Sequence, residues 1–430
     1  MPLPDAFKTA LAEERALLIH TFFRSWVGDW EESFLAGELK TLAESAGVEV
    51  AGEISCRREK PSPAMFIGKG KAEEALEQVA ETKANVVIVG EDLSPTQQRN
   101  LEAVLKVKTV DRTQLILDIF ASRAQSLEGK LQVELAQLGY LLPRLLGQGI
   151  LASRLGGGIG TRGPGEQMLE KDRRHIRRRI MHLKADLSKV RERRDAQRKR
   201  RRKQDTPILA LVGYTSAGKS TLFNRLTGAR QNVSPALFMT LDPITRTVEL
   251  PDGQHFILAD TVGFLHRLPH HLVEAFKATL EEVVEADILI HVVDSSHPMA
   301  LQQAHSVSDV LSELGAQDRP LIHAINKVDL LRAEEVAKRL ARDLDRAVPI
   351  SALHGSGLDA LLQEIDALLA ERVETLRLRL PHQEMALLNR IYNEGKVLSR
   401  EYVEGFIEIE AVLPRSLSDT LQKFRCSAPS

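Results

Sequence analysis

An apolar run, Ile208 to Val212, ends in Gly213-Tyr214-Thr215-Ser216-Ala217-Gly218-Lys219-Ser220, and a helical pattern from Thr221 to Leu226 follows. A buried strand that turns through Gly-x4-Gly-Lys-Ser into a helix confines the chain around it to an α/β sheet, because such a strand needs helices on both its faces. The glycines let backbone N–H groups turn inward around a polyphosphate, and the helix N-terminus adds partial positive charge. Lys219 can reach the β and γ phosphates, and the Ser220 hydroxyl can ligate Mg²⁺. A chance glycine turn before a helix is the alternative.

Three later segments narrow the choice. Ile257-Leu258-Ala259 runs into Asp260-Thr261-Val262-Gly263-Phe264. An Asp at the tip of an apolar strand can hold the Mg²⁺ shell, and the Gly263 N–H can approach a γ-phosphate. The run from Pro320 to Ile325 leads into Asn326-Lys327-Val328-Asp329. Both oxygens of Asp329 can accept from the N1–H and N2–H of guanine, a donor pair adenine lacks, so such a site discriminates strongly. Asn326 can support the loop and contact the base, and the Lys327 stem can cover its face. Val348-Pro349-Ile350 then leads to Ser351-Ala352-Leu353, whose backbone can serve the guanine oxygen. In this order the four segments imply a guanine-nucleotide site, with ATP as the rival ligand.

Between Lys219 and Asp260 a threonine is expected to complete the Mg²⁺ shell and sense the γ-phosphate. Thr240 and Thr245 both qualify by chemistry. Phe264 stands where some GTPases carry a water-orienting glutamine, so slow unstimulated hydrolysis is expected. His266, His270 and His271 follow closely, and ordinary surface or satisfied histidines are the better reading for them.

At 430 residues, two to four domains are expected. Charges interrupt every apolar run, which excludes a membrane span, and no secretory signal is visible at Met1–Lys8. Cys56 and Cys426 read as reduced structural thiols of a cytosolic protein. Net charge is −1, yet Arg173 to Lys203 holds sixteen Lys or Arg against three Asp or Glu. That asymmetry points to a polyanion, nucleic acid first, over a merely solvated helix face. Ile176, Ile180, Leu183, Leu187 and Val190 form an apolar seam at helical spacing, as do Leu131, Leu135, Leu138, Leu142 and Leu145. Between them Gly147 to Gly165 carries eight glycines with Arg154 and Arg162. An antiparallel helical hairpin with a glycine tip that orders in an anionic crevice is the expectation; a disordered connector is the alternative.

The N-terminal part reads as a small sheet with flanking helices: strands at 16–23 and 85–90 and from Lys106, and helices at 72–82 and 95–105. Gly68-Lys-Gly-Lys71 lacks the rest of a phosphate loop and reads as a turn with solvated lysines. The tail, with strands at 375–380 and 406–413 and helices at 382–393 and 416–424, reads as a small α+β unit.

The chain resembles the HflX family of translation-associated GTPases along nearly its whole length. The resemblance is carried by Asp111 to Phe120, Glu128 to Gln137, Gly156 to Glu166, Asp172-Arg173-Arg174, Gly213 to Asn224, Thr240-Leu241-Asp242-Pro243 and Asp260 to Phe264. It implies a multidomain α/β architecture. An N-terminal α/β domain (1–113) would be joined to a basic helical hairpin (114–204), a Ras-like P-loop GTPase domain (205–370) and an α+β tail (371–430). It favours Thr240 as the Mg²⁺ ligand beside Ser220, with Lys219 and Gly263 as the other catalytic groups. It implies GTP-dependent binding to the large ribosomal subunit, the hairpin lying near ribosomal RNA, and splitting of stalled or idle ribosomes under stress. A cytoplasmic monomer is expected. In related potassium-stimulated GTPases an Asn at the Ser216 position helps hold K⁺; serine is shorter. Gln167 and Met168 also depart from the family's usual residues. A signalling switch that acts on a protein effector would explain the nucleotide motifs equally well, but gives no reason for the basic hairpin.

Overall fold

The computed structural model describes residues 14–23, 30–153, 164–202, 206–229, 237–238, 242–250, 253–267, 280–330, 333–371, 373–403 and 405–426. The first sheet is built from β1 (Arg15–Phe23), β2 (Glu49–Arg58), β3 (Val86–Val89) and β4 (Lys108–Asp111), all parallel, in the order β2-β1-β3-β4. Helices α1 (Glu32–Ser45), α2 (Lys69–Thr82), α3 (Pro95–Leu105) and α4 (Arg112–Arg123) connect and cover it.

Period-two alternation along β1 divides the core. Leu17, Ile19 and Phe23 face Ala72, Ala75 and Val79 of α2 and Leu101 and Leu105 of α3. Ala16 and Leu18 face Leu39 and Leu42 of α1 and Ile116, Ile119 and Phe120 of α4. Each buried Leu, Ile or Phe among them contributes about 1.5–3 kcal/mol of transfer free energy, and each alanine less. Helix α3 starts where Ser94 and Gln97 close a capping box with Pro95 in the first turn. The sequence reading lacked α1 and β2. Only Ile54 and Cys56 of β2 are buried, so its apolar signal is sparse. Gly68–Lys71, expected as a turn with solvated lysines, instead opens α2: Lys69 is exposed, but Lys71 is half-buried and pairs with Glu74 at 2.8 Å.

Helix α5 (Leu127–Ser153) and α6 (Pro164–Arg202) form the expected hairpin. On α6, Leu183 is fully buried and Ile176, Ile180, Leu187 and Val190 are half-buried. Arg179 grips Glu134 of α5 through two 2.7 Å hydrogen bonds. Helix α5 has a second apolar face, absent from the sequence reading, in which Val133 and Ala136 join the core under α4. Helix α4 itself runs across the 113/114 boundary and packs on the first sheet. Residues 154–163 of the glycine stretch lie outside the described residues.

The second sheet has the order β10-β9-β8-β5-β7-β6. Its strands are β5 (Ile208–Gly213), β6 (Ile244–Glu249), β7 (His255–Asp260), β8 (Ile288–Asp294), β9 (Leu321–Asn326) and β10 (Ala347–Pro349). All pairs are parallel except β6 with β7. Helices α7 (Lys219–Thr227), α8 (Glu281–Glu285), α9 (Ala300–Glu313), α10 (Ala333–Asp343) and α11 (Leu358–Ala370) accompany it. The antiparallel third sheet, β11-β13-β12, comprises β11 (Val373–Pro381), β12 (Lys396–Val403) and β13 (Phe406–Pro414), with α12 (Met385–Glu394) and α13 (Arg415–Leu421) on one face. The edge strand β12 was missing from the sequence reading: Lys396, Arg400 and Glu401 dilute its apolar residues, as edge strands commonly require.

Loop residues of the nucleotide domain complete one side of the first sheet's core. Tyr214, Leu237, Phe238, Val262 and Leu265 belong to the same buried cluster as Leu39, Leu42, Phe120, Val133 and Ala136. No helix among the described residues is long and apolar enough to cross a membrane.

Candidate nucleotide site

The phosphate loop leaves β5 at Gly213, where a Cβ would overlap the Val292 carbonyl oxygen, and enters α7 at Lys219. Gly218 stands at φ 99° with Asn326 Nδ2 where its Cβ would lie, so both positions need glycine. Lys219 is buried; its Nζ donates to the carbonyls of Gly213 at 3.1 Å and Tyr214 at 2.8 Å. Burial lowers the Lys219 pKa to about 8, against a smaller raising effect of Asp260. Ser220 Oγ donates to Asp260 Oδ2 at 2.8 Å. This pair of hard oxygen ligands fits Mg²⁺. Among the described residues no group of three His, Cys, Asp or Glu could hold a metal ion by itself, so an ion here would draw further ligands from phosphate, water and the expected threonine.

Asp260 and Thr261 are fully buried at the end of β7, and Thr261 Oγ1 donates to the Leu211 carbonyl at 2.5 Å. Thr215 N donates to Phe264 O at 2.8 Å and Phe264 N to Gly213 O at 3.0 Å, so the Asp260–Phe264 segment pairs with the phosphate loop as a short ladder. A Cβ on Gly263 would lie 2.8 Å from Thr215 Cγ2 and 3.0 Å from Lys219 Nζ. Only glycine allows this backbone so close to the phosphate loop. Phe264 is 2% exposed in an apolar cluster, where it can orient no water.

Asn326 spans two loops. Its Nδ2 donates to Ala217 O at 2.8 Å and its Oδ1 accepts from Ala352 N at 2.9 Å. The amide thereby braces the phosphate loop against Ser351–Leu353, and each end keeps one further hydrogen-bonding position. Lys327 adopts φ 66° and pairs with Asp294 Oδ2 at 2.6 Å. Asp329 is partly exposed, with His354 Nε2 at 3.7 Å. Ser351 is buried and Leu353 exposed. Ser216 is exposed at φ 60°, and Thr221 is half-buried in the first turn of α7. If Asp329 reads the base, Asp329→Asn weakens GTP binding by about 10²-fold or more, because one acceptor oxygen becomes a donor facing guanine N–H groups. Calorimetry with GTP and xanthosine triphosphate checks this: the loss with GTP should be recovered with the xanthine nucleotide, whose 2-oxo group accepts from the new amide.

Thr240 lies outside the described residues, as do His270 and His271. Thr245 sits in β6, paired with Ala259. His266 is half-buried with its ring centroid 4.5 Å from that of Trp30. Burial, with Arg112 and Arg267 nearby, lowers its pKa to about 3, so it is a neutral imidazole packed against Trp30.

That contact belongs to a cluster which the sequence reading missed. Glu38 of α1 accepts from Arg112 Nη2 at 2.5 Å and from the Tyr214 hydroxyl. The same hydroxyl accepts from His266 N at 2.7 Å, and Arg112 Nη2 also donates to His266 O at 3.0 Å. One buried carboxylate thus ties the N-terminal sheet to the phosphate loop and to the segment after Phe264. Tyr at the second loop position, where a small residue would suffice for phosphate contact, was the available signal.

On α6, Lys171, Arg174, Arg177, Arg178, Lys184 and Lys189 are exposed. They form a cationic surface carried by the partner helix of α5.

Family models cover most of the chain. They are described as GTP-binding GTPase N-terminal (residues 35–121), GTP-binding GTPase middle region (123–201), 50S ribosome-binding GTPase (208–327) and HflX C-terminal domain (336–426). The GTPase HflX of Caldanaerobacter subterraneus subsp. tengcongensis is 47% identical over 412 residues, covering 96% of this chain and 94% of the relative. That of Escherichia coli is 43% identical over 408 residues, covering 94% of each. Among solved structures, a GTP-binding protein from the archaeon Sulfolobus solfataricus in complex with GDP is 26% identical, with a TM-score of 0.44, covering 83% of this chain and 99% of that one.

Proposed function

Since the chain belongs to the HflX family of GTPases, we propose that it binds the large ribosomal subunit through its basic hairpin and dissociates stalled or idle ribosomes under GTP control. GTP hydrolysis is the activity of the family. The reading adds what that activity drives. Residues Gly213 to Thr221 would cradle the phosphates, Ser220 and Thr240 would hold Mg²⁺ with Asp260 in its shell, and the backbone of Thr261, Val262 and Gly263 would lie toward the γ-phosphate. Lys219 would stabilise charge developing on the transferred phosphoryl group. Asn326, Lys327 and Asp329, with Ser351, Ala352 and Leu353, would form the base pocket. Ser216 would offer a shorter arm than Asn toward a K⁺ beside the phosphates. The protein would act as a cytoplasmic monomer.

The observation that carries this reading is the shared core. The hairpin's own helix α5, through Val133 and Ala136, lies in one apolar cluster with Tyr214 and Val262 of the nucleotide site. A change at the γ-phosphate therefore reaches the cationic arm through packed side chains. A signalling switch would leave the exposed arginines of α6 unexplained.

Sedimentation with purified large subunits tests it. With a non-hydrolysable GTP analogue the chain should pellet with the particles, and with GDP it should largely remain in the supernatant. Raising salt from 50 to 200 mM should weaken the association by about 10²-fold or more if several phosphates are contacted. Equal absence from the pellet in both nucleotides would favour the switch. Deleting 150–165 should abolish pelleting while leaving hydrolysis intact.

A further inference from the structure

The segment between the phosphate loop and β6 holds the base of the hairpin. Asp242 Oδ2 accepts from Gln125 N at 3.0 Å and Ser126 N at 2.7 Å, while Oδ1 accepts from the Ser126 hydroxyl. Ser126 Oγ in turn accepts from Gly129 N at 2.9 Å, in the first turn of α5. Ser126 thus satisfies an N–H that the first turn of α5 leaves unpaired, while the Asp242 carboxylate, from another part of the chain, holds Ser126 in place and puts negative charge where the helix dipole favours it. Just upstream, Leu237 N donates to Ser45 Oγ of α1 at 3.0 Å, and the Phe238 ring packs edge-on to Phe120 of α4 at 4.6 Å. The described residues on both sides of 239–241 are therefore anchored on the N-terminal sheet and the hairpin.

We infer that Asp242 is a positioning residue whose carboxylate caps α5 to different extents in the GTP and GDP states, so that the nucleotide sets the pose of the hairpin. Capping carboxylates of this kind change helix equilibria by roughly three- to thirtyfold. That is the size of a typical coupling between two sites. The inference rests on the ribosome-binding reading for its purpose, but its mechanics are internal to the chain.

The geometry supplies an unusual probe. A Cβ at Gly129 would overlap Asp242 Oδ1. Gly129→Ala therefore pushes the carboxylate off α5 without touching the nucleotide pocket, and it favours the helix itself. Ser126→Ala removes the hydroxyl donor and leaves the two backbone donors. Amide hydrogen exchange on the full chain is the direct readout. In the unmodified protein the amides of Gln125 and Ser126 should exchange at rates differing about three- to thirtyfold between GDP and a non-hydrolysable GTP analogue. In Gly129→Ala the two nucleotides should give the same rates, and in Ser126→Ala a reduced difference, with basal GTP hydrolysis within about twofold of the unmodified chain in both.

Large-subunit affinity is measured in parallel. Its ratio between the two nucleotides should fall toward one in Gly129→Ala. Equal exchange rates in the unmodified protein overturn the inference, as does a Gly129→Ala chain that keeps its full nucleotide dependence. A nucleotide-dependent cap lost in Gly129→Ala, in a chain that ignores large subunits in both nucleotides, upholds the cap and removes the ribosome reading instead.

Discussion

Lys219→Ala is expected to lower the single-turnover rate of GTP hydrolysis by about 10²–10³-fold, the usual loss when one preorganised donor to developing transition-state charge is removed. The structure adds a pH signature to this. Lys219 Nζ sits against two carbonyls in a buried pocket that lowers its pKa to about 8. A bound polyphosphate supplies the negative charge the pocket lacks and must raise that value. The bound form then holds the proton more tightly than the free form, so binding takes up a proton above the free pKa. GTP affinity should be constant below about pH 7 and fall as pH rises through 8. At pH 9 it should be about tenfold weaker than at pH 7. Isothermal calorimetry at the two pH values, on the unmodified chain and on Lys219→Ala, separates this ionisation from those of the nucleotide, which both proteins share. An identical pH profile in the two would show that Lys219 is already fully protonated before the phosphates arrive.

The nucleotide site was legible in the sequence because its chemistry is local. Gly213 and Gly218 are needed by backbone geometry, Lys219 and Ser220 follow at fixed spacing, and each of the other segments ends an apolar strand. The hairpin was legible because Ile176 to Val190 repeats at helical period. The contacts between these parts were not. Val133 and Ala136 of α5 fall outside the leucine seam, and a second apolar face on an already amphipathic helix adds no new period. Glu38, Arg112 and Tyr214 are ordinary letters separated by up to 176 positions, and only the fold brings their charges together. Asn326 was expected to support its loop as well as contact the base, and the brace from Ala217 to Ala352 is that support, although its two partners lie 109 and 26 positions away. Asp242 appeared only as part of a matching motif. Its role at the start of α5 depends on a register between distant elements that no spacing rule encodes. Edge elements such as β2 and β12 escaped for another reason: half of β2 and most of β12 face solvent, so neither carries a sustained apolar run.

The buried cluster leads to the second large effect. Glu38→Ala is expected to destabilise the chain by about 3–5 kcal/mol, the usual consequence of removing one partner of a buried ion pair. Arg112, almost fully buried, would lose its 2.5 Å partner, and the Tyr214 hydroxyl would lose its acceptor. Most of that cost is the penalty on the charge left behind, not the worth of the pair. Two further variants separate those terms. Glu38→Gln keeps the shape and an acceptor oxygen, and should cost only about 1–2 kcal/mol. Glu38→Leu combined with Arg112→Met removes both charges and should recover most of the stability lost in the single variant. Urea denaturation followed by tryptophan fluorescence reports on this region, since the Trp30 ring lies 4.5 Å from that of His266 beside the cluster. A loss below about 1 kcal/mol in Glu38→Ala would mean that water reaches Arg112 and that the sheet-to-loop tie is weak. A double variant no better than the single one would mean that the carboxylate acts mainly through Tyr214. The phosphate loop itself, rather than the Arg112 charge, would then be what Glu38 holds in place.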